Sequence, residues 1–402
     1  MYEAYQAQGD ALWPWRTLAQ ASVPSLLDST FGAPGRTARR LAALWRTLAL
    51  AEITHARPDW GIKSIVVDGV EHPVVEEATA RTPFATLRRF RKVGAAEQPR
   101  VLVAAPMSGH FATLLRDTVR TLLRDHDVHV TDWHNVRDVP LSAGRFGLDE
   151  YIEHLIEFTA ALGPGANVVA ICQPCVAALA AAAIMAEDDH PAQPASLTLM
   201  AGPIDCRIGP TAVNKLATSK PIAWFERNLI GRVPWRLRGA GRRVYPGFLQ
   251  LSAFISMNRE RHAEAFRKYF AHLAAGEEAE AKAIGDFYNE YMAVADLSAD
   301  FYLETVRLVF QEYALPLGKL TLRGRKIDPT AIRRTALLTI EGERDDICAI
   351  GQTLAAQDLT RLRPWLRTHY VQPNVGHYGV FSGRRWQQHI YPVVRNVIQV
   401  SQ

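Results

Sequence analysis

VVAICQPCVAALAA, residues 168–181, holds two of the chain's four cysteines, Cys172 and Cys175, with Pro174 between them. A short apolar run leads in and an Ala-rich helical run leads out, so the stretch reads as strand, sharp turn, helix. The C-x-P-C spacing admits three chemistries: a thiol–disulfide pair, half of a zinc knuckle, or one nucleophilic cysteine on a turn. A redox pair also follows a strand and opens a helix. However, 402 residues far exceed such a domain, and no compact β-α-β frame surrounds the pair. Zinc needs about four ligands, yet Cys206 and Cys348 are isolated. His126 and His129 run into a strand, where positions three apart face opposite ways.

The turn reading has the best support. Ala170-Ile171-Cys172-Gln173-Pro174 follows the pattern small-x-nucleophile-x-small of a nucleophile elbow, with Ala and Pro where glycines are common. Cys172 takes the nucleophile's place at a helix N-terminus, which favours a thiolate. Pro174 in the first helical turn forfeits no needed N–H. Cys175 is expected inside the helix, packed as a small apolar residue.

Outward from the elbow, apolar runs alternate with amphipathic helices. SIVVDGVEHPVVEE (64–77) reads as a hairpin about Asp68-Gly69. VLVAAP (101–106), VHVTDW (128–133), NVVAI (167–171) and SLTLMAG (196–202) read as strands, joined by helices at 111–126 and 148–163 and by the Ala-rich run at 176–186. ALLTIEGERDD (336–346) and THYVQ (368–372) resume the pattern. ATLRRF (85–90) is left out of the count, which gives eight strands with an insertion after the sixth. The fold class is α/β: a mostly parallel sheet with helices on both faces. The expected division is a helical segment over 1–60, an α/β core over 61–205 and 331–402, and a helical, aromatic-rich cap over 206–330. FRKYF, DFYNEYM and DFYLETVRLVFQEY carry the aromatic character of the cap.

An elbow predicts its partners in the chain order nucleophile, acid, histidine. TIEGERDDI supplies Asp345 or Asp346 after the seventh expected strand, and G-x-x-D spacing favours Asp345. VQPNVGHYGVF supplies His377 after the eighth. Both lie at strand C-termini, where open α/β sheets place their sites. The oxyanion donors expected are the backbone N–H of Gln173 and that of Met107 or Ser108 in PMSGHF (106–111). Ser108 also reads as an ordinary helix cap.

A formal net charge of +5 is mild, and the basic runs at Arg88–Lys92 and Gly241–Arg243 accompany no nucleic-acid-binding motif, so nucleic acid is not an expected partner. The start, MYEAYQAQGDALWPW, lacks a signal-peptide pattern, and no apolar run of about 18 residues suggests a membrane span. With few cysteines, these features lead to an expectation of an intracellular, reduced protein.

PMSGHFATLLRDTV (106–119), VTDWHNVRDVPL (130–141), GRFGLDEYI (144–152), VVAICQPCVAALAA, TLMAGPIDCRI (198–208), FYLETVRLVFQ (301–311) and IEGERDDICAIGQT (340–353) occur in this order. Together they resemble the intracellular polyhydroxyalkanoate (polyhydroxybutyrate) depolymerases of bacteria, over most of the chain from about residue 60. The resemblance implies an α/β-hydrolase fold, with Cys172 as nucleophile, an aspartate of GERDD as acid and His377 as base, and no metal or cofactor. It implies a polyester of 3-hydroxyacyl units as substrate, met as cytoplasmic granules or soluble oligomers. A homodimer is compatible with it. Trp224, Phe225, Phe287, Tyr288 and Tyr291 are candidates to line an acyl channel. Rival readings are a polyhydroxyalkanoate synthase-like acyltransferase, CoA-dependent thiolysis of the polymer, and an inactive granule-coat protein.

Overall fold

The computed structural model describes Tyr2, Tyr5 and residues 35–402. Of the helical segment expected over 1–60, only the part from residue 35 can be followed. Apart from the two tyrosines, the remainder lies outside the described residues.

The hairpin forms as predicted: β1 (Ser64–Val67) pairs antiparallel with β2 (Val70–Arg81), Val67 opposite Val70. Then follow β3 (Ala85–Lys92), β4 (Arg100–Ala104), β5 (Asp127–Trp133), β6 (Asn167–Ile171), β7 (Ser196–Met200), β8 (Ala336–Gly342) and β9 (Arg367–Gln372). They make one sheet in the order β1-β2-β3-β5-β4-β6-β7-β8-β9. β1 and β3 run antiparallel to their neighbours, and the remaining pairs are parallel. The central strands β4, β6, β7 and β8 are almost wholly buried. That is why their sequences read as continuous Val, Leu, Ile and Ala rather than as alternation.

The sheet therefore has nine strands, not eight, and the insertion falls after the seventh. The strand missed is β3, whose text RRFRK looks like a solvated basic run. Its charges are paired across the ladder instead. Arg88 bonds Asp132 of β5 and Glu76 of β2, Arg89 forks onto Asp127 of β5 at 3.0 and 2.9 Å, and Arg91 meets Glu77 of β2 at 2.6 Å. Between them Leu87 and Phe90 are buried.

Three helices join the parallel strands: α1 (Arg116–Leu122), α2 (Leu148–Leu162) and α3 (Cys175–Glu187). From β4 the chain steps outward to β5, and from β5 and β6 it steps back the other way. Right-handed crossovers then put α1 on one face and α2 and α3 on the other. The loops after β4 and β6 diverge, so a crevice opens between adjacent strands at their C-terminal ends. This arrangement, with a sharp strand-to-helix turn after β6, is the α/β-hydrolase fold.

Between β7 and β8 lie further helices, among them α4 (Gly247–Met257), α5 (Arg259–Ala275) and α6 (Glu278–Tyr291). They share a second, smaller core with the helix Arg36–Leu50, built from Ala43, Leu50, Leu251, Tyr269, Leu273, Ala281 and Tyr288. The helix before the sheet is thus part of the cap's packing. The insertion also holds a small sheet of Gly231–Arg232, Arg243–Tyr245 and Leu297–Ser298, which was not anticipated. Segments of two or three residues are too short to show a strand's period. Among the described residues no helix is long and apolar enough to cross a membrane.

Candidate active site

β6 ends at Ile171, and the next residue, Cys172, has φ of +67°. A non-glycine residue in the left-handed region costs about 1–2 kcal/mol. Two backbone bonds hold it there: Cys172 N–H donates to Met200 O at 2.7 Å, and Cys175 N–H to Cys172 O at 3.2 Å. The turn lifts a half-buried Cys172 to the mouth of the crevice. Pro174 occupies the cap position before α3, where its missing N–H matters least.

Cys175 is a different kind of residue. Its thiol is fully buried beneath the turn and donates to Ala170 O at 3.3 Å and Met200 O at 3.6 Å. Burial, and then the neighbouring Cys172, push this thiol well above its ordinary value. Cys172 and Cys175 are both free.

Asp345 follows β8 in a turn closed by its N–H to Gly342 O at 3.2 Å. One carboxylate oxygen accepts the N–H groups of Ile347 and Cys348 at 2.9 and 2.8 Å. The other lies 2.8 Å from Nδ1 of His377, which opens the turn after β9. Both residues are buried. Asp346 turns towards the cap and accepts from Asn258 at 3.4 Å. Nδ1 is thus engaged, and the Cys172 sulfur is near enough to the ring to influence its proton. Burial alone would lower the imidazole's affinity for its proton. The Asp345 carboxylate, then the Cys172 sulfur, outweigh burial and hold His377 well above the ordinary histidine range.

The loop after β4 meets the elbow directly. Met107 N–H donates to the carboxamide oxygen of Gln173 at 3.3 Å. Ser108 caps no helix, since the first turn after this loop starts behind Phe111. Gly109 has φ of +88°, and a Cβ there would lie 2.8 Å from the Gln250 side chain of α4. Its carbonyl accepts Ala295 N–H at 2.9 Å, so the cap is bonded to the same loop.

The aromatic candidates separate. Phe287 and Tyr291 of α6 contact Tyr378 with ring centroids 6.3 and 6.4 Å apart, and Tyr378 lies 6.0 Å from His377. Tyr288 packs edge-on against Phe287 at 5.2 Å and hydrogen-bonds His262. Trp224 and Phe225 pair with each other at 5.4 Å, and Phe225 belongs to a separate cluster with Ala217 and Val306. Tyr378 escaped the sequence reading although it adjoins His377. Nothing in its spacing tells a cleft tyrosine from a core one.

A family model described as PHB de-polymerase C-terminus matches residues 201–402, half of the chain. The chain belongs to this PHB depolymerase family. The half matched by the depolymerase model contains the cap helices, Asp345 and His377, whereas Cys172 and Met107 precede it. No curated protein matches the sequence. Among solved structures, similar chains include a membrane phospholipase A described as a bacterial virulence factor, with 15% identity, TM-score 0.41 and coverage of 98% of this chain and 99% of that one. The 2-hydroxy-6-oxo-6-phenylhexa-2,4-dienoate hydrolase from Rhodococcus sp. strain RHA1 is 13% identical, with TM-score 0.43, covering 82% and 99%. A thermophilic esterase from Thermogutta terrifontis is 16% identical, with TM-score 0.42, covering 81% and 98%. At these scores the likenesses bear on neither activity nor substrate. The family and the strand order identify this depolymerase-family chain as a hydrolase of the esterase type.

Proposed function

We propose that this chain hydrolyses ester bonds of stored poly(3-hydroxybutyrate) through Cys172, His377 and Asp345. The observation that carries this reading is Cys172 at φ +67°, near an imidazole whose Nδ1 is 2.8 Å from a buried carboxylate. In the proposed cycle the Cys172 sulfur, its proton on His377, attacks an ester carbonyl carbon. The tetrahedral oxyanion is received by the N–H groups of Gln173 and Met107, each good donor contributing about 3 kcal/mol. The carbon–oxygen bond then breaks, and His377 gives its proton to the departing 3-alkoxide. Water, deprotonated by His377, cleaves the acyl-thioester, releasing a carboxylic acid and restoring the sulfur.

Residues 206–330 serve in this reading as a cap over the cleft. The cap side of the cleft, through Phe287 and Tyr291, receives the acyl chain. The enzyme works at the surface of cytoplasmic granules or on soluble oligomers. The depolymerase family match favours cleavage over polymer synthesis.

The test is acid release from amorphous granules, with and without CoA, and polymer formation from hydroxybutyryl-CoA. Cys172→Ala should abolish release while granule binding survives. Unchanged release would remove the mechanism, and dependence on CoA would make it thiolysis.

A further inference from the structure

Tyr378 stands directly after the triad histidine, and its ring is held on several sides. Phe381, His377, Phe287 and Tyr291 lie at centroid distances of 5.6, 6.0, 6.3 and 6.4 Å. Two of these rings come from the core side of the crevice and two from α6 of the cap. A side chain clamped in this way presents its hydroxyl at a fixed point, and little rotamer freedom is lost when that hydroxyl is used. Among the described residues the hydroxyl has no hydrogen-bond partner, and it is not among the buried polar atoms left without one. Its oxygen is therefore not sealed from solvent, and it lies within electrostatic range of Cys172. Buried tyrosines normally find a partner for the O–H. Of the other phenols of this cluster, Tyr288 meets His262 at 2.8 Å.

We propose that Tyr378 is a further catalytic residue, its phenol donating a hydrogen bond to the oxygen of the departing hydroxyacyl chain. This rests on reading the site as an ester-cleaving triad. The proton that ends on the alkoxide is the one carried by His377. Tyr378 keeps its own and lends only the O–H···O contact as negative charge builds on that oxygen. Burial, then Tyr291 and Cys172, push the phenol well above its ordinary value, with Arg261 opposing. Tyr378 is thus a neutral donor throughout the working range. An alkoxide is a poor leaving group, so a donor aimed at it lowers the barrier of the step that needs most help.

The experiment compares Tyr378→Phe with wild type on two soluble substrates. One is the linear trimer of 3-hydroxybutyrate, which expels an alkoxide. The other is p-nitrophenyl butyrate, whose leaving group departs unaided. We expect kcat/KM on the trimer to fall about 10- to 100-fold, as for loss of one transition-state donor. On the p-nitrophenyl ester it stays within about twofold. Equal falls on both substrates, or no fall on either, overturn the proposal. Both rates come from the same preparation, so partial misfolding lowers them together and leaves their ratio intact. A wild-type enzyme that cleaves neither substrate sinks the triad reading itself, which is a separate outcome.

Discussion

Asp345 and Asp346 are consecutive, yet only the first meets His377. The Asp345 carboxylate lies 2.8 Å from the ring, while Asp346 accepts from Asn258 of the cap at 3.4 Å. Asp345→Asn should lower kcat on a soluble ester by about 10³- to 10⁴-fold through loss of ring orientation and charge. Asp346→Asn should stay within about fivefold. Steady-state kinetics of the two variants decide it, and comparable losses would mean that the roles are shared.

The raised imidazole of His377 fixes the sign of a pH effect. A group whose folded value is raised stabilises the fold fully below its unfolded value, about 6.5, and loses that contribution as pH rises through the folded value. The alkaline limb of kcat/KM should therefore lie well above the ordinary histidine range. In Asp345→Asn the limb should move to lower pH, because the larger of the two raising influences is gone. Profiles from pH 5 to 10 check this. A limb near 6.5 in wild type would contradict it.

Met107 N–H already donates to Gln173 at 3.3 Å, which makes Gln173 sensitive to charge. Gln173→Glu would place a carboxylate on the donor proposed to receive the oxyanion, and kcat should fall about 100-fold or more. Gln173→Ala frees that N–H and should change kcat by less than about tenfold. Circular dichroism at matched concentration separates these effects from misfolding.

Cys175 tests the assignment of the two thiols. It is fully buried, so Cys175→Ala should cost about 1–2 kcal/mol in urea unfolding while leaving kcat within about twofold. Loss of activity equal to that of Cys172→Ala would point back to a thiol pair.

The β3 ion pairs carry a prediction about stability alone. Asp132 is buried and shared between Arg88 and Arg57. Arg88→Ala would leave that carboxylate undercompensated, at a cost of about 3 kcal/mol, whereas Asp132→Asn with Arg88→Met should recover part of it. Denaturant melts of the single and double variants measure the difference.

The strand ends that carry the candidate residues were legible in the chain. Cys172 and Asp345 follow β6 and β8, whose buried apolar runs are plain in the chain, His377 follows the more exposed β9, and the elbow is a local motif. The G-x-x-D spacing pointed to Asp345, the aspartate that contacts His377. What the chain concealed depends on partners distant in sequence. β3 looks charged until Asp127, Asp132, Glu76 and Glu77 are seen beside it. The Gln173 carboxamide finds Met107 across 66 positions, and no pattern announces it. Phe287 and Tyr291 could not be ranked above Trp224 and Phe225, because composition does not say which helix of an insertion faces the core.

The Gly109 carbonyl that holds Ala295 N–H joins roof to hinge. Met107 is two residues upstream on the same short loop, and Asp296, next to Ala295, accepts Gly247 N–H at 2.9 Å at the start of α4. Any displacement of the inserted segment at Ala295 is therefore passed by a single backbone bond to the loop that carries Met107.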